Sequence, residues 1–347
     1  MGALSRMMSR MDSVTKQKLT ADDIRRFVHD GLGPGVAVTG HDEFTDGYYN
    51  AAHGVTLADG RQVVLKVAPL PDVRVLRYEF DLMRTEIEFY ERAEAAGVPL
   101  PRLWHADPEA GVMIMERLGG VSFEVAKAEM SAAELLQIRR RIGEVSALIT
   151  RVRGEVFGYP RRDGRTRRGS WRESFLEIIA DILADAAELK RELTRPASEV
   201  LATIERHGPL LDEVTEPVLV HFDLWDGNVF VRRDADGWTV EGFIDGERAF
   251  YGDPIAELVS LISFIGPEEA AAVVDGYLGR PLSEREQLRL CLYRTYLWLI
   301  LVVEPGVRGY PAEFEEQLLG WVLPLLTADL ARLDEAAAAT SAIGPKA

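Results

Sequence analysis

Residues 218–231 read Val-Leu-Val-His-Phe-Asp-Leu-Trp-Asp-Gly-Asn-Val-Phe-Val, and no other stretch restricts the possible folds of this chain as strongly. Apolar, strand-forming residues flank a polar turn that holds His221, Asp223, Asp226 and Asn228. A tight loop between two strands puts Asp223 and Asn228 on one face of a cleft. Seventeen residues after Asn228, a second strand-like run, Val240–Ile244, ends in Asp245. An acid at a strand end is a good place for a metal ligand. A hairpin that starts at Asn228 and ends at Asp245 brings two oxygen ligands to one magnesium ion. Each half has a bland reading: a strand–turn–strand with polar turn residues, and a turn former before Gly246. Together they point to a site, because the same Asp-x4-Asn spacing serves the catalytic loop of protein kinases.

Upstream, the pattern is that of a small sheet. Thr20, with Asp22 and Asp23 behind it, predicts a helix start, and the helix ends near Gly31. Residues 36–39, 49–57 and 62–67 read as strands, with the turn Ala58-Asp59-Gly60 between the last two. Residues 77–96 read as a helix closed by Gly97 and Pro99, and short strands follow at 103–106 and 112–115. Both rows of the 62–67 strand are apolar apart from Lys66, which places it toward a cleft, where it would reach nucleotide phosphates as a point charge. A buried lysine needs a partner. Glu86 falls inside the apolar stripe Leu82, Met83, Phe89, Tyr90 and Ala93, so it is the first choice; Glu79, at the edge of that stripe, is the second. The turn from Phe44 to Asn50 has one glycine and reads as a plain turn or as a cover for phosphates, which makes Asn50 a candidate nucleotide contact. The strand 112–115 runs into Gly119-Gly120, where a linker would meet an adenine ring through the backbone near Glu116 and Leu118.

Beyond Gly120 the pattern is mostly helical. Ser131 and Glu134 form a capping-box pattern, and further helices read at 171–191, 197–212, 255–265, 283–303 and 312–336. Short strands at 229–232 and 239–244 interrupt them. The expected division is a disordered leader at 1–18, a nucleotide-binding lobe at 19–117, a catalytic and substrate lobe at 118–337 and a frayed tail at 338–347. Residues 161–168 hold five arginines and read as a solvated loop or an anion contact.

Composition excludes several classes. The formal net charge of −16 argues against phosphate-backbone binding by a basic face, so no nucleic-acid partner is expected. The single cysteine, Cys291, forbids an intrachain disulfide and lies in an apolar run that buries it. The apolar run 296–303 is far short of the ~20 residues that span a bilayer, the N-terminus has no apolar signal core, and Arg6 stands where a myristoylation signal needs Ser or Thr. A cytoplasmic protein without a membrane partner is the expectation.

The order of these parts, with the segments HFDLWDGN, FIDGERAFYGDPIAEL and MRTEIEFYERAEAAGVPLP, resembles the aminoglycoside phosphotransferase / choline kinase family over residues 20–330. The resemblance implies an α+β, two-lobed protein-kinase-like fold with a small β-rich N-lobe and a larger helical C-lobe. It implies a kinase that uses ATP and Mg2+ to phosphorylate a hydroxyl of a small molecule. It gives Asp223 the base or hydroxyl-orienting role, gives Asn228 and Asp245 metal ligation, gives Lys66 the phosphates, places the family glutamate at Glu86, and makes His221 and Asp253 braces. Three positions depart from the family pattern: Phe222 replaces the glycine of His-Gly-Asp, Gly246 replaces the aromatic residue after Asp245, and Glu257-Leu258-Val259 stands for Asp-Leu-Ala. HFDLWDGN also resembles fructosamine kinases, and FGYP with SWRESF is similar to hygromycin phosphotransferases. Rival readings are a catalytically silent nucleotide-binding module and a metal-dependent hydrolase built on Asp223, Asp226 and Asp245. A cationic acceptor would suit an acidic pocket closed by Glu313, Glu315 and Glu316; the alternative for these three is a solvated helix face.

Overall fold

The computed structural model describes residues 13–45 and 49–342. Helix Ala21–Leu32 opens the small lobe. Thr20 caps it reciprocally: its hydroxyl accepts the Asp23 N–H at 3.2 Å, and Asp23 accepts the Thr20 N–H at 3.0 Å. Strands β1 (Val38–Glu43), β2 (Ala51–Leu57), β3 (Gln62–Val67), β4 (Leu103–Asp107) and β5 (Val112–Glu116) form one antiparallel sheet in the order β1-β2-β3-β5-β4.

Alternation along β3 decides what each face carries. Val63, Leu65 and Val67 pack with Ile24 and Val28 of the first helix. The other row, Val64 and Ala68, packs with Met83, Ile87 and Tyr90 of helix Leu82–Ala95 and with Met113 and Met115 of β5. Lys66 belongs to this second row and therefore faces the helix that carries Glu86.

The helix expected at 77–96 is divided. A single turn, Arg77–Glu79, is followed by Asp81 in the left-handed region (φ 68°), and the helix proper is Leu82–Ala95. The cause is tertiary. Leu76 and Tyr78 sink into the core of the large lobe, and the Arg77 N–H donates to Asp185 at 2.8 Å. The connector between β3 and the Glu86 helix is thus docked on the large lobe.

The large lobe contains β6 (Val121–Ser122), β7 (Val218–Val220), β8 (Val229–Asp234), β9 (Gly237–Phe243) and β10 (Phe250–Gly252). β6, β8 and β9 make one small sheet, and β7 pairs antiparallel with β10, Val220 opposite Phe250. The β10 strand was not expected, since three residues are too few to show a period. Helices Ala132–Ser146, Trp171–Glu188, Ala197–Arg206 and Glu284–Val303 match expectation in place and type. The helix expected at 255–265 is a short 3-10 turn, Pro254–Glu257, followed by Leu258–Ile262. Helix Pro267–Leu278 was missed, its alanine-rich sequence giving little polar–apolar contrast.

The segment Glu284–Arg308 is long and apolar enough to cross a membrane, with a mean hydropathy of 1.4, but it is a core helix with 83% of its apolar window buried inside the protein. Cys291 lies in it, fully buried, as expected of a structural thiol.

Two expectations differ from the structure, and a third holds in part. Residues 1–12 of the leader lie outside the described residues, but residues 13–18 are held in place: the Val14 N–H donates to the Arg308 carbonyl, and Lys16 Nζ donates to the Phe44 carbonyl at 2.9 Å. The last helix, Ala312–Ala342, runs past the expected tail boundary, because its alanines continue a helix readily. The arginine loop is solvated in part, with Arg162, Arg165 and Arg167 exposed, but several of its charges are already paired with acids. Arg161 is buried and donates to the Arg77 carbonyl at 2.6 Å, Arg162 reaches Glu109 at 2.8 Å, and Arg165 binds Asp181. Arg161 and Arg162 fasten the large lobe to the small one, and Arg165 ties the loop to helix Trp171–Glu188 of its own lobe.

Candidate active site

Lys66 is the centre of the cleft between the lobes. Its Nζ lies 2.6 Å from Glu86 Oε1 and 2.6 Å from Asp245 Oδ1. Burial pulls this amine down, but Asp245 and Glu86 outweigh it and hold the lysine well above its ordinary value. Burial pushes Glu86 up to about 7 in spite of Lys66. Asp245, opposed by burial, is still held low by Lys66. The charged pair is therefore Lys66 with Asp245, and Glu86 completes it. Glu79, the second choice for this role, instead binds Arg308 in the large lobe. Its position on the docked connector turns it away from the stripe that faces β3.

His221 joins the two halves of the motif. Its Nδ1 accepts the Asp223 N–H at 3.2 Å, and its Nε2 lies 3.0 Å from the Ile244 carbonyl. An acceptor duty at Nδ1 and a carbonyl at Nε2 define the neutral tautomer protonated at Nε2. Burial agrees, lowering His221 to about 4. The ring thus ties the loop at Asp223 to the strand end at Asp245. Asn228 tightens the same loop, its Nδ2 donating to the Asp223 carbonyl at 2.8 Å. No described residue donates to Asn228 Oδ1. Asp253 is a brace as well: it accepts from Tyr293 at 2.6 Å, Arg289 at 2.7 Å and the Ile255 N–H at 2.9 Å.

The departures from the family pattern have physical causes. Phe222 has φ 67°, a region glycine enters freely and a phenylalanine enters at a cost of about 1–2 kcal/mol. Its buried ring packs 5.2 Å from Phe250 and 5.5 Å from Tyr296, and Ser260 Oγ donates to its carbonyl at 2.6 Å. Packing and hydrogen bonds thus hold the strained residue. At Gly246 a Cβ would stand 2.3 Å from the Phe89 ring, so that ring fills the space a side chain would need. Glu257 accepts the His221 N–H at 2.7 Å from beneath the loop.

Burial pushes Glu257 up to about 8 from an ordinary 4.5, against the pull of backbone hydrogen bonds. An acid raised on folding favours the folded chain fully below its unfolded value, and that contribution is lost as pH rises toward the folded one. Glu257→Gln should therefore gain on the wild type between about pH 5 and pH 9. The expected result is a thermal-midpoint difference, variant minus wild type, that rises by several degrees across this range. A difference independent of pH would contradict it.

Asp223 faces the cleft with 18% of its side chain exposed, and Arg248 Nη1 lies 3.6 Å from its Oδ1. Burial pushes Asp223 up to about 6, with Arg248 pulling the other way. Sequence reasoning passed over Arg248 and counted Glu247 only among the acids beside a cationic acceptor, with no part at the metal. The available signal was a charged pair set inside the apolar run Phe243 to Tyr251. Burial, and then the Asp245 charge, push Glu247 well above the usual carboxylate range. Carboxylate oxygens of Glu86, Asp245 and Glu247 lie within 4.8 Å of one another. Asn50 reaches across from the start of β2 and donates to Glu247 Oε2 at 2.8 Å. Asn50 Oδ1 and Glu86 Oε2 are buried without a partner among the described residues. An all-oxygen donor set with unsatisfied buried oxygens fits a hard cation such as Mg2+.

The turn expected to cover phosphates falls partly at 46–48, outside the described residues. At the linker, the Glu241 carboxylate accepts the Gly120 N–H at 2.5 Å and fixes the chain's exit from β5. No described residue hydrogen-bonds to the Leu118 backbone, and Glu116 is exposed. Asp226 is bound by Arg139, at 2.8 Å from its Nη2, and by Lys127 at 2.9 Å, so it does not join a hydrolase-like carboxylate set. Glu315 pairs with Arg191 at 2.6 Å, and Glu313 and Glu316 are exposed, which is the solvated-face arrangement.

A sequence description of the phosphotransferase enzyme family (APH) matches residues 42–291, which include every member of this cleft from Asn50 to Arg248. The chain belongs to this family. Among curated proteins, none matches it in sequence. Solved structures share the fold. A protein described as a fructosamine-3-kinase from Thermobifida fusca superposes with a TM-score of 0.63 at 22% identity, over 89% of this chain and 100% of that one. The streptomycin–ATP ternary complex of APH(2")-IIa gives 0.59 at 16% identity, over 89% and 99%. A thermostable mutant of aminoglycoside phosphotransferase APH(4)-Ia, in a ternary complex with ADP and hygromycin B, gives 0.58 at 17% identity, over 89% and 98%. The phosphotransferase therefore has the two-lobed, protein-kinase-like α+β architecture that the sequence predicts.

Proposed function

We propose that this phosphotransferase moves the terminal phosphoryl group of ATP to a hydroxyl of a small polyhydroxy molecule. The observation that carries the reading is the convergence on Lys66 of Glu86 from the small lobe and Asp245 from the large one, beside the loop of Asp223 and Asn228. Lys66, oriented by Glu86, would contact the α- and β-phosphates. Backbone groups at Glu116 and Leu118 would meet the adenine ring, and Asn50 would border the phosphates. Asp245 and Asn228 would hold Mg2+, with Glu247 beside them. When bound, Mg2+ neutralises charge on the phosphates and draws their oxygens into line. Asp223 would accept the acceptor hydroxyl proton, with the Arg248 guanidinium 3.6 Å away offsetting the charge of its carboxylate. Little covalent chemistry is asked of the protein; positioning and charge supply most of the rate.

Relatives of the same fold have been crystallised with streptomycin and ATP or with hygromycin B and ADP, and another is described as a fructosamine-3-kinase. They favour an acceptor rich in hydroxyls and bearing an amine. The test is phosphoryl transfer from labelled ATP, with Mg2+, to a panel of amino sugars, aminoglycosides, macrolides and fructosamines. At least one acceptor should become labelled. A protein that binds no MgATP, by direct titration, would overturn the reading.

A further inference from the structure

Asp223 is the open end of a buried chain of charges that runs out of the family-matched region. Arg248 lies between two carboxylates, with Nη1 3.6 Å from Asp223 and Nη2 3.4 Å from Glu304. Neither approach is as close as an ordinary N–H···O bond of about 2.7–3.2 Å. Glu304, just after helix Glu284–Val303, is held at the same oxygen, Oε1, by Arg308 at 2.7 Å. Arg308 is 1% exposed and is bound in turn by Glu79, also 1% exposed. Glu79 stands on the docked connector, seven residues before Glu86. Its Oε2 accepts the Leu76 N–H at 2.8 Å, and its carbonyl accepts the Tyr49 hydroxyl at 2.9 Å.

We propose that Glu304 is a positioning residue for Asp223, acting through Arg248, and that Arg308 and Glu79 anchor it to the connector that carries Glu86. This rests on the phosphotransfer reading, in which Asp223 must face the acceptor. The physical argument is competition for one guanidinium. With Glu304 charged and fixed, Arg248 is shared and stays back from Asp223, leaving that carboxylate turned to the cleft. Without the Glu304 charge, Asp223 becomes the nearest counter-ion of Arg248, and the buried arginine closes on it, since a buried charge left unpaired is strongly disfavoured. Asp223 is then drawn out of line with the reacting oxygen, where small displacements have large effects on rate. A role confined to stability would be surprising for such a chain, because buried ion pairs contribute little net stability compared with apolar packing.

The probe is MgATP hydrolysis, with water as the acceptor, so that no acceptor need be known. Glu304→Gln should lower kcat about 10-fold with KM for ATP nearly unchanged. In an Asp223→Asn background, the same change should produce no further loss of kcat. A structural role would instead lower thermal stability and would reduce kcat in both backgrounds. If Glu304→Gln does not fold, Arg308→Lys, which keeps both charges and loses only the planar fork, should show a smaller kcat loss with the same dependence on Asp223. The relay is overturned if Asp223→Asn abolishes hydrolysis while Glu304→Gln turns over as the wild type does, or if the two losses add; the phosphotransfer reading then stands. If Asp223→Asn hydrolyses MgATP at the wild-type rate, the phosphotransfer reading falls, and the relay with it.

Discussion

Asp223→Ala should lower turnover by about 10²–10⁴ while MgATP affinity stays near the wild-type value; the factor is the usual contribution of a general base. The split follows from geometry. Asp223 makes no ion pair with Lys66, and its carboxylate, in the cleft, pairs with Arg248. Its backbone, by contrast, holds the loop together through His221 Nδ1 and Asn228 Nδ2, and alanine keeps both of those contacts. In the proposed reading, removing the side chain deletes the proton acceptor and leaves the Asn228 amide, the candidate metal ligand, where it was. It also frees Arg248 to pair with Glu304 alone, which keeps the arginine from being stranded. The check is single-turnover transfer to a confirmed acceptor, together with nucleotide titration. Near-normal turnover would show that proton removal is not this residue's work, and a parallel loss of MgATP affinity would show that the loop had moved.

Most of the cleft was legible because its members are residues that do not belong where they stand. A lysine in an apolar strand row, a glutamate inside an apolar helix stripe and an acid ending a strand each violate local patterning, and the structure brings Lys66, Glu86 and Asp245 into contact. Glu247 and Arg248 violate it as well, but they lie in a turn, where charge carries no signal until the neighbouring elements are placed. The Arg248–Glu304–Arg308–Glu79 chain was out of reach, since it joins residues more than two hundred positions apart whose pairing only tertiary packing decides. Glu79 was ranked behind Glu86 on stripe position, and the docking of Leu76 and Tyr78 in the large lobe explains why that ranking held. The same docking broke the long helix that periodicity implied, a case of tertiary packing overriding local propensity. The arginine loop was misread in part, for a related reason. Five arginines in eight residues look solvated in a sequence, and three of them are exposed, but the buried one, Arg161, and the Glu109 partner of Arg162 depend on contacts with the small lobe that only tertiary packing supplies.

Asp245→Asn should weaken MgATP binding roughly 10²-fold or more, because a direct carboxylate ligand contributes several kcal/mol of charge stabilisation, and should leave metal-free ATP bound at least as well as before. Asparagine is the informative replacement. Asp245 has φ 68° and ψ 49°, a left-handed conformation in which asparagine, like aspartate, is several-fold enriched among residues with a Cβ. The substitution thus isolates the charge and keeps the turn between β9 and the Gly246–Arg248 segment. Two effects then oppose each other at Lys66. The lysine loses one of its two counter-ions and keeps Glu86, so its positive charge is less satisfied in the free enzyme and draws bare phosphates more strongly. In the proposed reading a divalent ion would lose the ligand that Lys66 holds low, whereas burial pushes Glu86 and Glu247 upward. The second effect governs MgATP and the first governs ATP alone, so the ratio of the two affinities, measured with and without Mg2+ at one ionic strength, should fall steeply in Asp245→Asn. An unchanged ratio would mean that the metal is held by other oxygens in the cleft, with Glu247 the next to test.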